Sequence, residues 1–225
     1  SFRGLENPAY YILEADKANY AYYSGCGNTF NGNHSVVRHL ILDCLRYWVS
    51  EMHIDGFRFD LASVLSRDES GIPLENPPIL WSIESDPVLA GTKIIAEAWD
   101  AGGLYQVGTF IGDRFCQWNG PFRDDVRRFV KGDSGTVKTL AARIMGSPDI
   151  YPQRERDPNR SINFVTCHDG FTLNDLVSYN DKHNEANGED NCDGAKDNFS
   201  WNCGSEGKSD DLAIEALRNR QIENF

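Results

Sequence analysis

The sequence predicts an α/β protein, and more narrowly part of a (β/α)8 barrel, about strands four to seven with their helices and loops. Three observations carry this. Strand-like runs alternate with helix-like runs, the pattern of βα units on a parallel sheet. Each of three strand-like runs ends in a carboxylate, at Asp60, Glu97 and Asp169. Those acids are 37 and 72 positions apart, one and two βα units if a unit is about 30–40 residues long. They then fall at the C-terminal ends of strands n, n+1 and n+3, the face of such a barrel where strand-end side chains converge.

The first 35 residues are loop-like and end in Gly25-Cys26-Gly27-Asn28-Thr29-Phe30-Asn31-Gly32-Asn33-His34. A helix over 36–52 follows. Val37, Leu40, Ile41, Cys44, Leu45, Trp48, Val49 and Met52 make its apolar stripe, and Ser35 is its predicted N-cap. The segment from His53 to Asp60 alternates with period two and reads as a strand, with His53 as a structural residue at the helix exit. Residues 93–99 and 161–169 are β-branched runs of the same kind. Helices are predicted over 122–130, with Phe122, Val126, Phe129 and Val130 on one face and Gly132 as the stop, and over 136–144, with Val137, Leu140, Ala141 and Ile144 together and Gly146 as the stop. Residues 181–210 read as one long polar loop, and a helix opens at Leu212.

Composition narrows the function classes. The chain has 225 residues, 22 basic and 34 acidic side chains and a net charge of −12. Nucleic-acid binding needs clustered Lys and Arg, so that partner is not expected. No run of eighteen apolar residues is present, so no membrane span is expected. The six cysteines form no C-x-x-C, and free thiols are expected, several of them buried. Glu189-Asp190-Asn191-Cys192-Asp193-Gly194 is a weak likeness of a calcium loop, but Ser200 stands where a bidentate acid belongs, so no metal is assigned.

Convergent carboxylates have a chemical meaning. Retaining glycoside hydrolysis uses one ionised carboxylate as nucleophile and one protonated carboxyl as acid and then base, about 5–5.5 Å apart. Arg58 is two residues before Asp60, hence on the same face of a strand, where its guanidinium favours an ionised Asp60. Glu97 is flanked by Ala96, Ala98 and Trp99, a less polar setting that suits an acid. His168 beside Asp169 suits a grip on sugar hydroxyls. Any one of these acids alone is more simply a turn former or helix cap; the spacing of all three, with Arg58 and His168, favours a site.

Asp55-Gly56-Phe57-Arg58-Phe59-Asp60, Glu97-Ala98-Trp99-Asp100 and His168-Asp169-Gly170 resemble the second, third and fourth signature regions of the α-amylase superfamily, glycoside hydrolase family 13. Gly25-Cys26-Gly27-Asn28, the run from Ile95 to Tyr105, Trp118-Asn119-Gly120 and Ser200-Trp201-Asn202-Cys203-Gly204 resemble its isoamylase and glycogen-debranching type, nearly end to end. The resemblance implies Asp60 as nucleophile, Glu97 as acid/base and Asp169 as transition-state stabiliser. It implies Arg58 and His168 as substrate-binding residues, and Trp99 as a stacking or packing residue. The implied reaction is retaining hydrolysis of α-1,6 branch linkages in glycogen, amylopectin or limit dextrin, with no cofactor. The implied compartment is intracellular: cytoplasm in a bacterium, plastid stroma in a plant or alga. A homo-oligomer is left open.

The resemblance also implies what the 225 residues lack: an N-terminal β-sandwich, strands one to three with the first signature region, strand eight and a C-terminal β domain. Ser1-Phe2-Arg3-Gly4 resembles the loop after that first region. Residues 1–225 are thus expected to be part of a catalytic barrel, unstable and inactive when isolated. Two alternatives stand: a non-catalytic glucan-binding or regulatory isoamylase-like subunit, and an α-glucan transglycosylase on the same barrel. The full carboxylate set argues against the first; only product analysis separates the second.

Overall fold

The computed structural model describes residues 2–151 and 158–225, so Ser1 of the opening run lies outside the described residues. The chain divides into two compact units, residues 1–118 with 150–162, and residues 119–149 with 163–225.

The first unit holds the sheet. Its strands are β1 (Gly56–Phe59), β2 (Lys93–Ala96), β3 (Phe115–Trp118) and β4 (Ser161–Ile162), hydrogen-bonded in chain order and all parallel. β3 is the strand that the two-unit gap requires between β2 and the third run. Register pairs Gly56 with Lys93 and Phe59 with Ala96. Gly56 is obligatory there, because a Cβ would sit 2.5 Å from the Lys93 carbonyl oxygen. Alternation works as expected on β2, where Ile94 and Ala96 are buried. β4 is shorter than predicted. It ends at Ile162, so Asp169 follows six residues of irregular chain rather than standing at a strand end.

Helix α1 is a single turn (Asn7–Tyr10). Helix α2 (Ser35–Ser50) covers the predicted segment, but its cap differs: His34 Nδ1 accepts from the Val36 N–H at 3.3 Å, and Ser35 is the first helical residue. Its buried face is narrower than the stripe. Val37, Leu42 and Leu45 are buried, whereas Cys44, Trp48 and Met52 are exposed. His53 makes the turn into β1 through its backbone, with φ 56°, and its side chain is exposed; Ile54 is exposed as well. Helix α3 (Pro78–Ser85) packs Ile79, Leu80 and Ile83 against Leu89, Ile94, Phe110 and Phe115, the middle of one continuous apolar core.

The second unit contains helices α4 (Gly120–Lys131), α5 (Val137–Ile144), α6 (Asp175–Ser178) and α7 (Leu212–Asn224). Asn119 caps α4 by accepting from the Phe122 N–H, and Gly132 ends it at φ 94°. The predicted apolar faces are not what is buried. On α5, Val137 and Ile144 are about 70% exposed, and Arg143 is the buried residue. On α4 it is Arg127, on α7 Arg218. All six cysteines are free, and Cys203 alone is fully buried, which pushes its thiol pKa up.

Candidate active site

The site grows from the C-terminal ends of β1 and β2. The ladder continues past the strands, with the Glu97 N–H donating to the Phe59 carbonyl at 3.0 Å. Leu61, in a left-handed turn at φ 42°, brings its N–H to Glu97 Oε2 at 2.9 Å, and the Ala62 N–H donates to the Glu97 carbonyl. Asp60 and Glu97 are thereby fixed beside one another by backbone, before any side chain is considered.

One guanidinium serves both acids. Arg58 Nη1 donates to Asp60 Oδ1 at 3.0 Å, and Nη2 pairs with Glu97 Oε1. The same guanidinium lies over the Trp118 ring at 4.3 Å, so the last residue of β3 holds it in place. The surroundings of the two carboxylates are opposite. The Asp60 side chain is 66% exposed and that of Glu97 2%. Burial pushes the Glu97 pKa up and Asp60 adds to this; the Leu61 N–H and Arg58 oppose it, and burial wins. Two acids at one place, one open to water and one buried with a raised pKa, are the difference in environment that acid–nucleophile pairs need.

Behind Glu97 the chain is clamped. Asp100, fully buried, accepts from Arg67 Nε at 2.7 Å and from the Gly102 and Leu104 N–H groups. Arg67 donates also to the Gly71 carbonyl and covers the Tyr23 ring at 3.9 Å. Trp99 is half-buried against the core and stacks on Tyr105, ring centroids 6.1 Å apart. Arg67, Asp100 and Trp118 carry no assigned role in the sequence reading. The Trp118-Asn119-Gly120 run, which already carries part of the family resemblance, is the signal that could have found Trp118.

His168 and Asp169 belong to the second unit and are adjacent there, His168 Nε2 lying 3.7 Å from Asp169 Oδ2, with both side chains more than half exposed. In the polar loop, Lys182 Nζ donates to the Cys192, Asp193 and Gly194 carbonyls at 2.8–3.3 Å. An ammonium thus sits against the C-terminal end of the calcium-like segment. Between Asp60 and Glu97 likewise, the cation is the Arg58 guanidinium.

Parallel strands with unlike carboxylates at neighbouring strand ends, bridged by one arginine, make a segment of an α/β barrel with a polar cluster at its C-terminal edge. Solved structures agree. Pullulanase from Bacillus acidopullulyticus matches 95% of this chain and 30% of its own, with a TM-score of 0.61 at 23% identity. Pullulanase from Anoxybacillus sp. LM18-11, complexed with maltotetraose, matches 74% of this chain and 25% of its own, at TM-score 0.55 and 28% identity. No family model matches the chain. Over its whole length the chain is 59% identical to Isoamylase 3, chloroplastic, of Oryza sativa subsp. japonica and 53% identical to Isoamylase 1, chloroplastic, of Arabidopsis thaliana. It is 52% identical to the glycogen operon protein GlgX homolog of Mycobacterium bovis. The chain belongs to the isoamylase and glycogen-debranching type of glycoside hydrolase family 13. It spans 29–31% of the length of these three relatives.

Proposed function

We propose that the chain supplies the catalytic carboxylates of a retaining α-1,6-glucan debranching hydrolase, acting on glycogen, amylopectin or limit dextrin. The observation that carries this is the Arg58-bridged pair of Asp60, exposed, and Glu97, buried with a raised pKa. Asp60 is the nucleophile: its exposed carboxylate attacks the anomeric carbon. Glu97 donates its proton to the departing branch oxygen, then accepts a proton from the water that cleaves the glycosyl-enzyme ester. The raised pKa favours the protonated form that the first step consumes. Asp169 stabilises the transition state, Arg58 and His168 hold substrate, and Trp99 offers a ring at the same strand end. No cofactor enters this chemistry. The names of the plant relatives support a plastid enzyme if the source is a plant or alga; a bacterial source implies the cytoplasm.

The test is the full-length protein on amylopectin. Linear chains with retained anomeric configuration are expected, and their absence, or rearranged branches in their place, would overturn the assignment. Among the described residues no helix is long and apolar enough to cross a membrane.

A further inference from the structure

Arg127 is the largest fully buried side chain of the molecule, 2% exposed, in the middle of α4. Among the described residues no carboxylate lies within ion-pair distance of it. Burying an unpaired cation costs several kcal/mol in order-of-magnitude terms, and this burial lowers its pKa to about 10. A methionine or leucine of similar volume at this position, beside Leu176, Val177, Phe199 and Trp201, would avoid that cost. The guanidinium must therefore do something that an apolar residue does not.

Its hydrogen bonds show what. Nε donates to the Val165 carbonyl at 2.8 Å and Nη1 to the Asn198 carbonyl at 3.2 Å, joining segments 33 positions apart in sequence. Val165 lies within the irregular stretch that leads from β4 to His168 and Asp169. Asn198, itself 4% exposed, reaches the other side of that turn: its Oδ1 accepts from the Phe171 N–H at 3.0 Å, and its Nδ2 donates to the Ala195 carbonyl. Gly170, at φ 75°, makes room for this, since a Cβ there would lie 2.7 Å from Asn198 Oδ1. The Cys167 thiol bonds to the Asp169 carbonyl at 3.5 Å from within the turn. So the His168-Asp169 turn hangs between two anchors, Val165 and Phe171, and both trace back to Arg127, one directly and one through Asn198.

We propose that Arg127 and Asn198 are positioning residues for Asp169: the buried guanidinium and the amide fix the turn that presents the third carboxylate. This rests on the role given to Asp169 above. A sheet ladder does the equivalent for Asp60 and Glu97. β4 stops seven residues short of Asp169, so side chains take over.

The test uses the full-length protein with R127M, R127K and N198A. R127M removes the buried charge and leaves two carbonyls unpaired, opposing effects on stability, so a cooperative melt near that of the wild type is expected. kcat on amylopectin should fall about 10- to 100-fold with KM unchanged, as for a misplaced transition-state group. R127K, which retains a donor, should recover part of this. In a cycle with D169N the losses should not multiply, because both changes remove one function. The Phe171 amide, which Arg127 does not touch, should exchange faster with solvent in R127M. Unchanged kcat, activity that merely tracks the folded fraction, losses that multiply with D169N, or an undisturbed Phe171 amide would each overturn the proposal. A wild type that cleaves nothing would instead sink the functional reading, and the Phe171 exchange would still decide this one.

Discussion

The two units bury apolar and charged side chains in different proportion, although the first also buries Arg67, Asp100 and Arg160. In the first, the core is Ile79, Leu80, Ile83, Leu89, Ile94, Phe110 and Phe115, an aliphatic and aromatic interior under a parallel sheet. In the second, the buried apolar residues are Leu176, Val177 and Cys203, and the large buried side chains are Arg127, Arg143 and Arg218. Each of these arginines reaches at least one partner in irregular chain: Arg143 bonds to Asp149 as well as to Asp125 of α4, and Arg218 to the Asn202 and Ser205 carbonyls as well as to Glu215 of its own helix. An apolar core is non-directional and needs a sheet to give it geometry. A guanidinium has five donors in a fixed fork, and it sets the geometry of loops that have no ladder. The difference teaches how one family of sites can hold carboxylates by two means. Asp60 and Glu97 are placed by register, Asp169 by hydrogen bonds from buried cations.

The sharpest break of this comparison is chemical. Asp60→Asn in the full-length protein should lower kcat by about 10⁴-fold or more, with a melt close to the wild type, because an exposed side chain carries chemistry and little packing. The activity of the wild type should decline on the alkaline side as Glu97 loses its proton, at a pH above the ordinary glutamate range, since burial raises its pKa. A rate profile flat from pH 4 to 9 would contradict the role of Glu97. Next come the interiors. Phe115→Ala, fully buried at the start of β3, should cost about 3–5 kcal/mol in denaturant melts. Arg143→Ala leaves Asp125 and Asp149 facing an empty site. It should cost about 3 kcal/mol, near the low end for a broken buried pair because Asp149 is half exposed. If Arg143→Ala were silent while a truncation at Leu176 was severe, the second unit would be an ordinary apolar core after all.

The same contrast explains what was legible in the sequence. Register-built features were: β1 and β2 alternate, and Asp60, Glu97 and Arg58 are where the alternation and the 37-residue interval put them. β3 escaped because Phe115-Cys116-Gln117-Trp118 is four residues long and buries Gln117, so neither length nor polarity marks it as a strand. β4 is shorter than its sequence suggests, because Ile162, Val165 and Thr166 are β-branched and Phe164 aromatic, as in a strand, while the ladder stops at Ile162. On α2 the stripe holds Val37 and Leu45 of the buried face but misses Leu42 and includes the exposed Cys44, Trp48 and Met52, since periodicity shows a face and not how much of it a neighbour covers. The arginines were illegible for a deeper reason. On α4 Arg127 has the same spacing as any solvated charge, and only the carbonyls of distant loops make it a buried one.

Glu206 offers the mildest test, on the polar loop itself. Slight burial would raise its pKa. The N–H groups of Asn180 and Asp181, the His183 ring at 3.0 Å and the Asn202 amide outweigh that and hold it at about 2. A carboxylate depressed in the folded state stabilises above its unfolded pKa, and the gain is lost as pH falls through the folded value. The window is therefore from about pH 4.5 down to about 2. Because the side chain is 36% exposed, water screens much of the effect, and it should be local rather than global. Hydrogen exchange at the Asn180 and Asp181 amides should show protection at pH 5 that fades across that window, relative to the amides of β2. In Glu206→Gln protection should be weaker at pH 5 and should no longer change with pH. Equal fading at β2 would mean that acid opens the sheet and the loop together, and the two units would then not differ in what holds them.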